Sequence, residues 1–394
     1  MPALIALSLM MASGDLSDLP GDDEDIISYW NLNEGEGQNS TNQVAGPQIQ
    51  LGTSSSNEEA DPSWEVGIMG SALHFDGDDD VATAADFDFP RSELTLSFWV
   101  NTSWTVKGRV PLSYANIYET NEFMLEDPGD LTVHIRGLSR DTGVAFNDGK
   151  WHHIVLTWRG QDGDLRIYKD SVPVFNGLLA VENTIRSGGT LVLGNDQDEV
   201  GGGFDPEQAF NGTMDEILIF DTILEEEDMD KLFEWTLPAP EVVEATPDGG
   251  RHPLSTVVNI TFNIDMDKGS VKETFSIEPK VNGTFYWSER SVSFVPDDNL
   301  ADDTEYKIRL STRAEDLWGR ELKDDIEVKF RTIEIEDPAP SDDDDDDISD
   351  EDEEEDEDSD NTTIVLIVLV LVAGGMIAII IALALISRLY HKED

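Results

Sequence analysis

The clearest periodic pattern in the chain is LTLSFWV, Leu94–Val100, where Leu94, Leu96, Phe98 and Val100 alternate with Thr95, Ser97 and Trp99. An alternation of two predicts a half-buried strand with the first set turned inward. Related runs recur along the chain: YWNLNEGEG from Tyr29, SALHFDGDDDVAT from Ser71, WHHIVLTW at Trp151–Trp158 and DLRIYKD from Asp164. Clusters of Gly, Asp and Asn punctuate them, as turns require. No helical pattern of useful length interrupts the series before Glu225. The pattern predicts an all-β, antiparallel jelly-roll sandwich over residues 25–236. The closely spaced prolines of TLPAP, Thr236–Pro240, then mark a boundary. Beyond them VVNITFNI, TFYW, SVSFVP, EYKIRLS and IEVKFRT predict a second β-sandwich over residues 238–333, with seven strands.

The two ends of the chain carry apolar runs of different lengths. Ala3–Ala12 is short and precedes Ala12-Ser13-Gly14, the pattern of a signal peptide over residues 1–14, although no Lys or Arg stands before it. Ile364–Ile386 holds 23 residues without a charge. As a helix it would measure about 34 Å, enough for a hydrocarbon core of about 30 Å. We therefore expect one transmembrane helix at 363–386. Arg388, His391 and Lys392 follow it, which puts the tail, 387–394, in the cytoplasm and the rest outside. Residues 334–362 are dominated by Asp and Glu and read as a disordered, extended linker. Localisation at the cell membrane as a single-pass type I protein follows. Six N-x-Ser/Thr sequons, at Asn39, Asn101, Asn211, Asn259, Asn282 and Asn361, fall on the predicted outer side and suggest a glycoprotein.

Composition narrows the function. A formal charge of −59 repels phosphate and excludes nucleic acid as a natural partner. There is no cysteine, hence no disulfide, thiolate metal site or cysteine nucleophile.

The chemistry concentrates in LGNDQDEVGGGFDPEQ, Leu193–Gln208, which follows the apolar run Thr190–Leu193. Asp196 and Asp198 are two apart and point to one side of extended backbone. Gly201, Gly202 and Gly203 let the chain double back and bring Asp205 and Gln208 toward that pair. Carboxylates, amides and carbonyls without Cys or His suit a hard cation such as Ca²⁺. Two other readings stay open. Asp196, Asp198, Gly201 and Glu207 also fit EF-hand positions, against Val200, Gly203 and strand-like flanks. The same residues also suit an ordinary acidic surface loop. Asp76, Asp78, Asp79 and Asp80 read either as a further cation site or as a hairpin turn. His152 and His153 would face opposite sides of a strand and so cannot share a metal.

LGNDQDEVGGGFDPEQ followed by Asn211-Gly212 resembles the second calcium loop of the pentraxin domain. The resemblance implies Asp196 and Asp198 as side-chain ligands, Gln197 through its carbonyl, and Asp205 and Gln208 at a second ion. The family's first loop ends in an Asp-Asn pair. In the aligned SYANIYETNEF, Asn121 is retained and Thr120 replaces the Asp, which implies weaker affinity or a single ion. NDGKWHHIVLTW is similar to the family's signature strand through His153, Thr157 and Trp158. Val155 stands in place of its Cys, and Ser97 in place of that Cys's disulfide partner. YWNLNEGEG, SALHFDGDDDVAT and GTMDEILIFDTIL resemble the wider laminin-G-like, concanavalin-type jelly rolls. In the second region ATPDGG, FNIDMDKGSV, FVPDDNLADDTEYKIRL and DLWGREL resemble the bacterial-type Ig-like domain of surface-layer proteins.

The expected function is a cell-surface protein that recognises an extracellular carbohydrate or other polar ligand with Ca²⁺, its lectin-like domain carried on an Ig-like spacer. A purely structural adhesion protein with calcium as a staple is the alternative. A glycoside hydrolase is the enzyme-class rival, and Asp215-Glu216 with Asp221 lacks the Glu-x-Asp-x-x-Glu spacing of family-sixteen enzymes. We expect no enzymatic activity.

Overall fold

The computed structural model describes residues 16–335, apart from 22 and 289. The expected signal peptide, transmembrane helix, cytoplasmic tail and nearly all of the acidic linker lie outside these residues. Among the described residues no helix is long and apolar enough to cross a membrane. The chain divides into two compact units between Pro240 and Glu241.

The first unit is built from β1 (Ile26–Trp30), β2 (Asn39–Ser40), β3 (Ile49–Leu51), β4 (Ser63–Val66), β5 (Ser71–Asp76), β6 (Ala82–Phe87), β7 (Glu93–Asn101) and β8 (Leu112–Asn116). It continues with β9 (Glu119–Glu126), β10 (Thr132–Ile135), β11 (Leu138–Asp141), β12 (Trp151–Arg159), β13 (Asp164–Lys169), β14 (Val172–Leu178), β15 (Gly189–Leu193), β16 (Asn211–Phe220) and the helix α1 (Met229–Thr236). One antiparallel sheet runs β14-β13-β12-β7-β16-β5-β4, with β1 also on β16. The other runs β11-β10-β9-β8-β15-β6-β3-β2. Leu94, Leu96, Phe98 and Val100 sit in the core between them with Trp30, Phe75, Phe87, Phe123 and Trp158, so the predicted inward set is correct.

The other face of β7 departs from the half-buried expectation. Thr95, Ser97 and Trp99 are fully buried as well, because α1 lies over the outside of this sheet. Tyr29, Val155, Leu218, Leu232 and Met229 form a second apolar cluster there. Trp99 stacks on His153 and packs against Phe233, and its indole N–H donates to Thr236 Oγ1 at 3.0 Å. Thr95 Oγ1 donates to Thr222 O at 2.7 Å and accepts from Leu224 N at 3.0 Å. Small polar residues thus occupy a buried face because each finds a partner there.

The second unit pairs β17 (Val242–Thr246), β19 (Val258–Phe262), β22 (Ser291–Pro296) and β21 (Gly283–Ser288) in one sheet. The other holds β18 (Arg251–His252), β24 (Ile326–Thr332), β23 (Glu305–Leu310) and β20 (Phe275–Glu278). Among the described residues eight strands replace the expected seven, one of them the two-residue β18. A short helix, α2 (Lys268–Thr274), precedes β20, with Asp267 Oδ1 accepting from Ser270 N as its N-cap. The core centres on Phe294 with Phe275 and Phe285, and on Tyr306 stacked on Phe330.

Candidate functional site

The loop after β15 begins where a side chain would not fit. Gly194 has φ 94°, and a Cβ there would strike the Phe75 ring and the Asp80 carbonyl. The next residues turn back over the outside of the second sheet. Ser113 Oγ on β8 donates to Asn195 O at 2.7 Å. Gln197 is fully buried: its amide nitrogen donates to Ser113 Oγ and to Thr190 O, both at 3.1 Å, and its Oε1 accepts from Gly201 N at 2.8 Å. The side chain is spent on pinning the loop to the sheet, which leaves the backbone carbonyl as its only oxygen for a ligand.

The glycines then act as anticipated. Glu199 and Gly202 exchange backbone hydrogen bonds at 3.2 and 3.0 Å, and Gly203, at φ 71°, passes so close to Asp198 that an added Cβ would lie 2.9 Å from its Cβ. Asp205 opens the returning turn, its Oδ1 accepting from Glu207 N at 2.9 Å and its carbonyl from Gln208 N at 2.8 Å. Arg109 clamps that turn, donating to Pro206 O at 2.6 Å and to Ala209 O at 3.0 Å. The two halves of the loop meet where Gln208 Nε2 donates to Asp196 Oδ2 at 3.1 Å.

Asp196 is 5% exposed, and its Oδ1 is buried without a hydrogen-bond partner. Burial raises its pKa above the usual carboxylate value, and the charges of Asp198 and Glu126 push the same way. An ionised carboxylate in that position is short of positive charge and of one donor. A cation would supply both, and the loop offers carboxylates, amides and carbonyls with no Cys or His, the ligand types that suit a calcium ion.

The predicted ligands are gathered unequally. Asp196 and Gln208 touch, Asp198 and Asp205 are exposed on the same loop, and Gln197 is bound beneath it. Among the described residues no three carboxylates of this loop bring ligand atoms within 4.8 Å of one another. Asn121 lies half-buried in β9, where its carbonyl accepts from Gly137 N at 3.2 Å and its N–H donates to Glu119 Oε1 at 3.4 Å. The residue of β9 whose charge reaches Asp196 is instead Glu126, which sequence reasoning missed. It closes the strand and is paired to His134 Nε2 at 2.8 Å.

Asp76, Asp79 and Asp80 do lie within 4.8 Å of one another. Their hydrogen bonds close the β5–β6 turn: Asp80 Oδ2 accepts from Asp76 N and Asp76 Oδ1 from Asp78 N, each at 2.8 Å. Burial, with Asp76 and Asp79 nearby, pushes Asp80 up to about 7. The turn also buttresses the loop, since the Asp80 carbonyl is one of the atoms that Gly194 approaches.

The remaining sites of interest are sealed. His152 and His153 face opposite ways, as expected: His152 binds Asp148 at 3.0 Å and Asp170 at 2.7 Å, while His153 Nε2 lies 2.7 Å from Ser97 Oγ with both residues fully buried. Burial drives the His153 pKa down to about 3. A serine–histidine pair with no route to solvent cannot act on a substrate. Ser97 and Val155 are direct cross-strand partners, so the two non-cysteine residues do oppose each other. Asp215 and Glu216 are buried at a bulge in β16, with Asp215 Oδ2 accepting from Met69 N at 3.2 Å and Glu216 Oε2 from the Tyr29 hydroxyl at 2.6 Å. Both side chains are engaged in these internal hydrogen bonds.

Comparison with known proteins gives two family matches. The model described as the pentaxin family matches residues 78–246, and that described as the bacterial Ig-like domain matches residues 238–332. A Rattus norvegicus protein named "Sushi, von Willebrand factor type A, EGF and pentraxin domain-containing protein 1" is 35% identical over 134 residues, which cover 33% of this chain and 4% of that protein. Neuronal pentraxin-1 of Homo sapiens is 38% identical over 131 residues, 32% of this chain and 30% of that protein. The chain thus spans well under half the length of these curated relatives. Among solved structures, a native heptameric SAP-like pentraxin from Limulus polyphemus is 20% identical with a TM-score of 0.38, covering 42% of this chain and 82% of that one.

Proposed function

From a chain that carries a pentraxin-family domain followed by a bacterial Ig-like domain, we propose a single-pass cell-surface protein that recognises an extracellular carbohydrate or other polar ligand in a calcium-dependent manner. Asp196, Asp198, Asp205 and Gln208, with the Gln197 carbonyl, are the residues that would hold the ion. Bound calcium would neutralise the loop and offer open coordination positions to ligand oxygens. The chain's own residues do the rest. Gln197 and Ser113 fix the loop on the sheet, Arg109 fixes its return, and Asp196 and Gln208 hold its two halves together.

The observation that carries this reading is the buried, unpartnered Oδ1 of Asp196 at the point where both halves of the loop meet. Calorimetric titration of the detergent-solubilised full chain with CaCl₂ tests it. The expected affinity is that of extracellular calcium modules, about 10⁻⁴ to 10⁻³ M, abolished by Asp196→Asn. Silence up to about 10 mM, tenfold beyond that range, or an unchanged isotherm in the variant, would refute it.

A further inference from the structure

We propose that the cleft at the Phe87–Glu93 end of the sandwich is a second, metal-independent binding site that takes a neutral oligosaccharide. β15 runs from this end toward the calcium loop, so the two sites lie at opposite ends of that strand. The cleft has a volume of about 1160 Å³. That is somewhat above the roughly 300–1,000 Å³ common for ligand clefts and has room for several sugar rings.

Its walls come from separate connections stitched together by backbone hydrogen bonds. Ile185 N donates to Arg91 O at 2.8 Å, Gly160 N to Ser92 O at 2.7 Å and Asn183 N to Gly160 O at 3.3 Å. Glu182 stands in the left-handed region at φ 55°, a strained choice for a residue other than glycine, and one that recurs where a chain is shaped for binding. The cleft is therefore preformed.

Its chemistry is that of a hydroxyl reader. Arg159 is committed to Glu93, Asp162 and Glu225 at 3.5 to 3.6 Å. Arg91, by contrast, is exposed, and its guanidinium has no hydrogen-bond or ion-pair partner among the described residues. Arg91 lines the cleft, and its five donors are uncommitted in a domain crowded with acids. Gln161, Glu182, Thr184 and Asp221 share the walls with it, and the side chains of Gln161, Glu182 and Thr184 have no hydrogen-bond partner among the described residues. Guanidinium, amide, hydroxyl and carboxylate groups side by side both donate to and accept from the vicinal hydroxyls of a sugar.

Other ligand classes fit less well. An apolar ligand finds mainly Ile27, since the lining Phe89 is 1% exposed and Pro90 is buried. An anion would meet Glu182 and Asp221 beside the one open arginine. A cation would need converging carboxylates, and the set that converges among the described residues is elsewhere, at Asp76, Asp79 and Asp80.

The test uses the solubilised full chain in excess chelator, titrated with cello-, xylo-, malto-, manno- and arabino-hexaose. At least one should bind, with affinity falling about tenfold or more in Arg91→Ala and in Thr184→Ala. Asp196→Asn should leave that binding unchanged, so this proposal and the calcium reading fail separately. Arg91 makes no side-chain contact that its loss would break, and an unchanged melting curve verifies the fold. Should either variant melt early, Gln161→Ala, at an exposed position, gives the same readout. The proposal is overturned if no hexaose binds, if the substitutions leave binding intact, if the chelator abolishes it, or if inorganic sulfate displaces the sugar.

Discussion

Two buried side chains, Gln197 and Glu216, show how individual residues set the properties of the first unit. Gln197→Leu would strip partners from Ser113, the Thr190 carbonyl and the Gly201 N–H at once. At roughly 1–3 kcal/mol for a buried group left unsatisfied, the variant should melt several degrees lower in differential scanning fluorimetry and bind calcium more weakly. An unchanged melting curve would show that the loop is not pinned as described. Glu216 makes the opposite kind of prediction. Burial raises its pKa together with that of its neighbour Asp215, so the folded chain holds protons there that the unfolded chain has released. Stability from this pair is therefore complete below the ordinary carboxylate range and is lost as pH rises through the raised values, at up to about 1.4 kcal/mol per pH unit for each proton. Glu216→Gln keeps an oxygen for the Tyr29 hydroxyl and removes its own titration, so urea midpoints measured between about pH 5 and 8 should fall less steeply than in the parent. Equal slopes would place the proton elsewhere. At this scale the sequence was partly legible. Spacing and glycines pointed to Asp196 meeting Gln208, which they do. The part played by Glu126 was not visible, because it depends on the register of β9 against β8 and of β8 against β15, a long-range property that local spacing does not encode.

Strands and helices show where alternation suffices and where it does not. The inward set of β7 could be read from its period, since one face of any sandwich strand must meet the core. Its outward set was misread as solvent-facing because the cover comes from α1, more than a hundred residues later. One clue was available: Trp99 on a nominally wet face is a large apolar surface looking for a partner. The pairing of β7 with β12 supports a further prediction. Ser97 and Val155 are direct antiparallel partners, which places their Cα atoms about 4.5 to 5.5 Å apart. That separation is within reach of a disulfide. The double variant Ser97→Cys, Val155→Cys should oxidise within the chain and raise stability by about 2–4 kcal/mol, less whatever the lost Ser97–His153 hydrogen bond contributes. The shift in denaturation midpoint between oxidised and reduced samples measures it. Failure to form the bond in air would contradict the register.

For the molecule as a whole, the governing quantity is a formal charge of −59, and it complicates any test of specific calcium binding. Repulsion among so many carboxylates opposes compaction and is relieved by any salt, because the Debye length shrinks from about 10 Å at 0.1 M to about 3 Å at 1 M. The melting temperature should therefore climb with NaCl alone. A divalent cation added on top would act in two ways: diffusely, along every acidic surface, and locally, where Asp196 has an oxygen without a partner. The two separate at constant ionic strength. Replacing part of the NaCl by CaCl₂ should raise the melting temperature further in the parent, following the saturable form RT ln(1 + [L]/Kd). Asp196→Asn should retain the response to NaCl and lose the saturable increment. If both proteins gain equally from calcium, the ion is only another screening agent and the loop is an acidic surface without a site. If only the parent gains, the charge of the molecule supplies the background and these few residues supply the specificity.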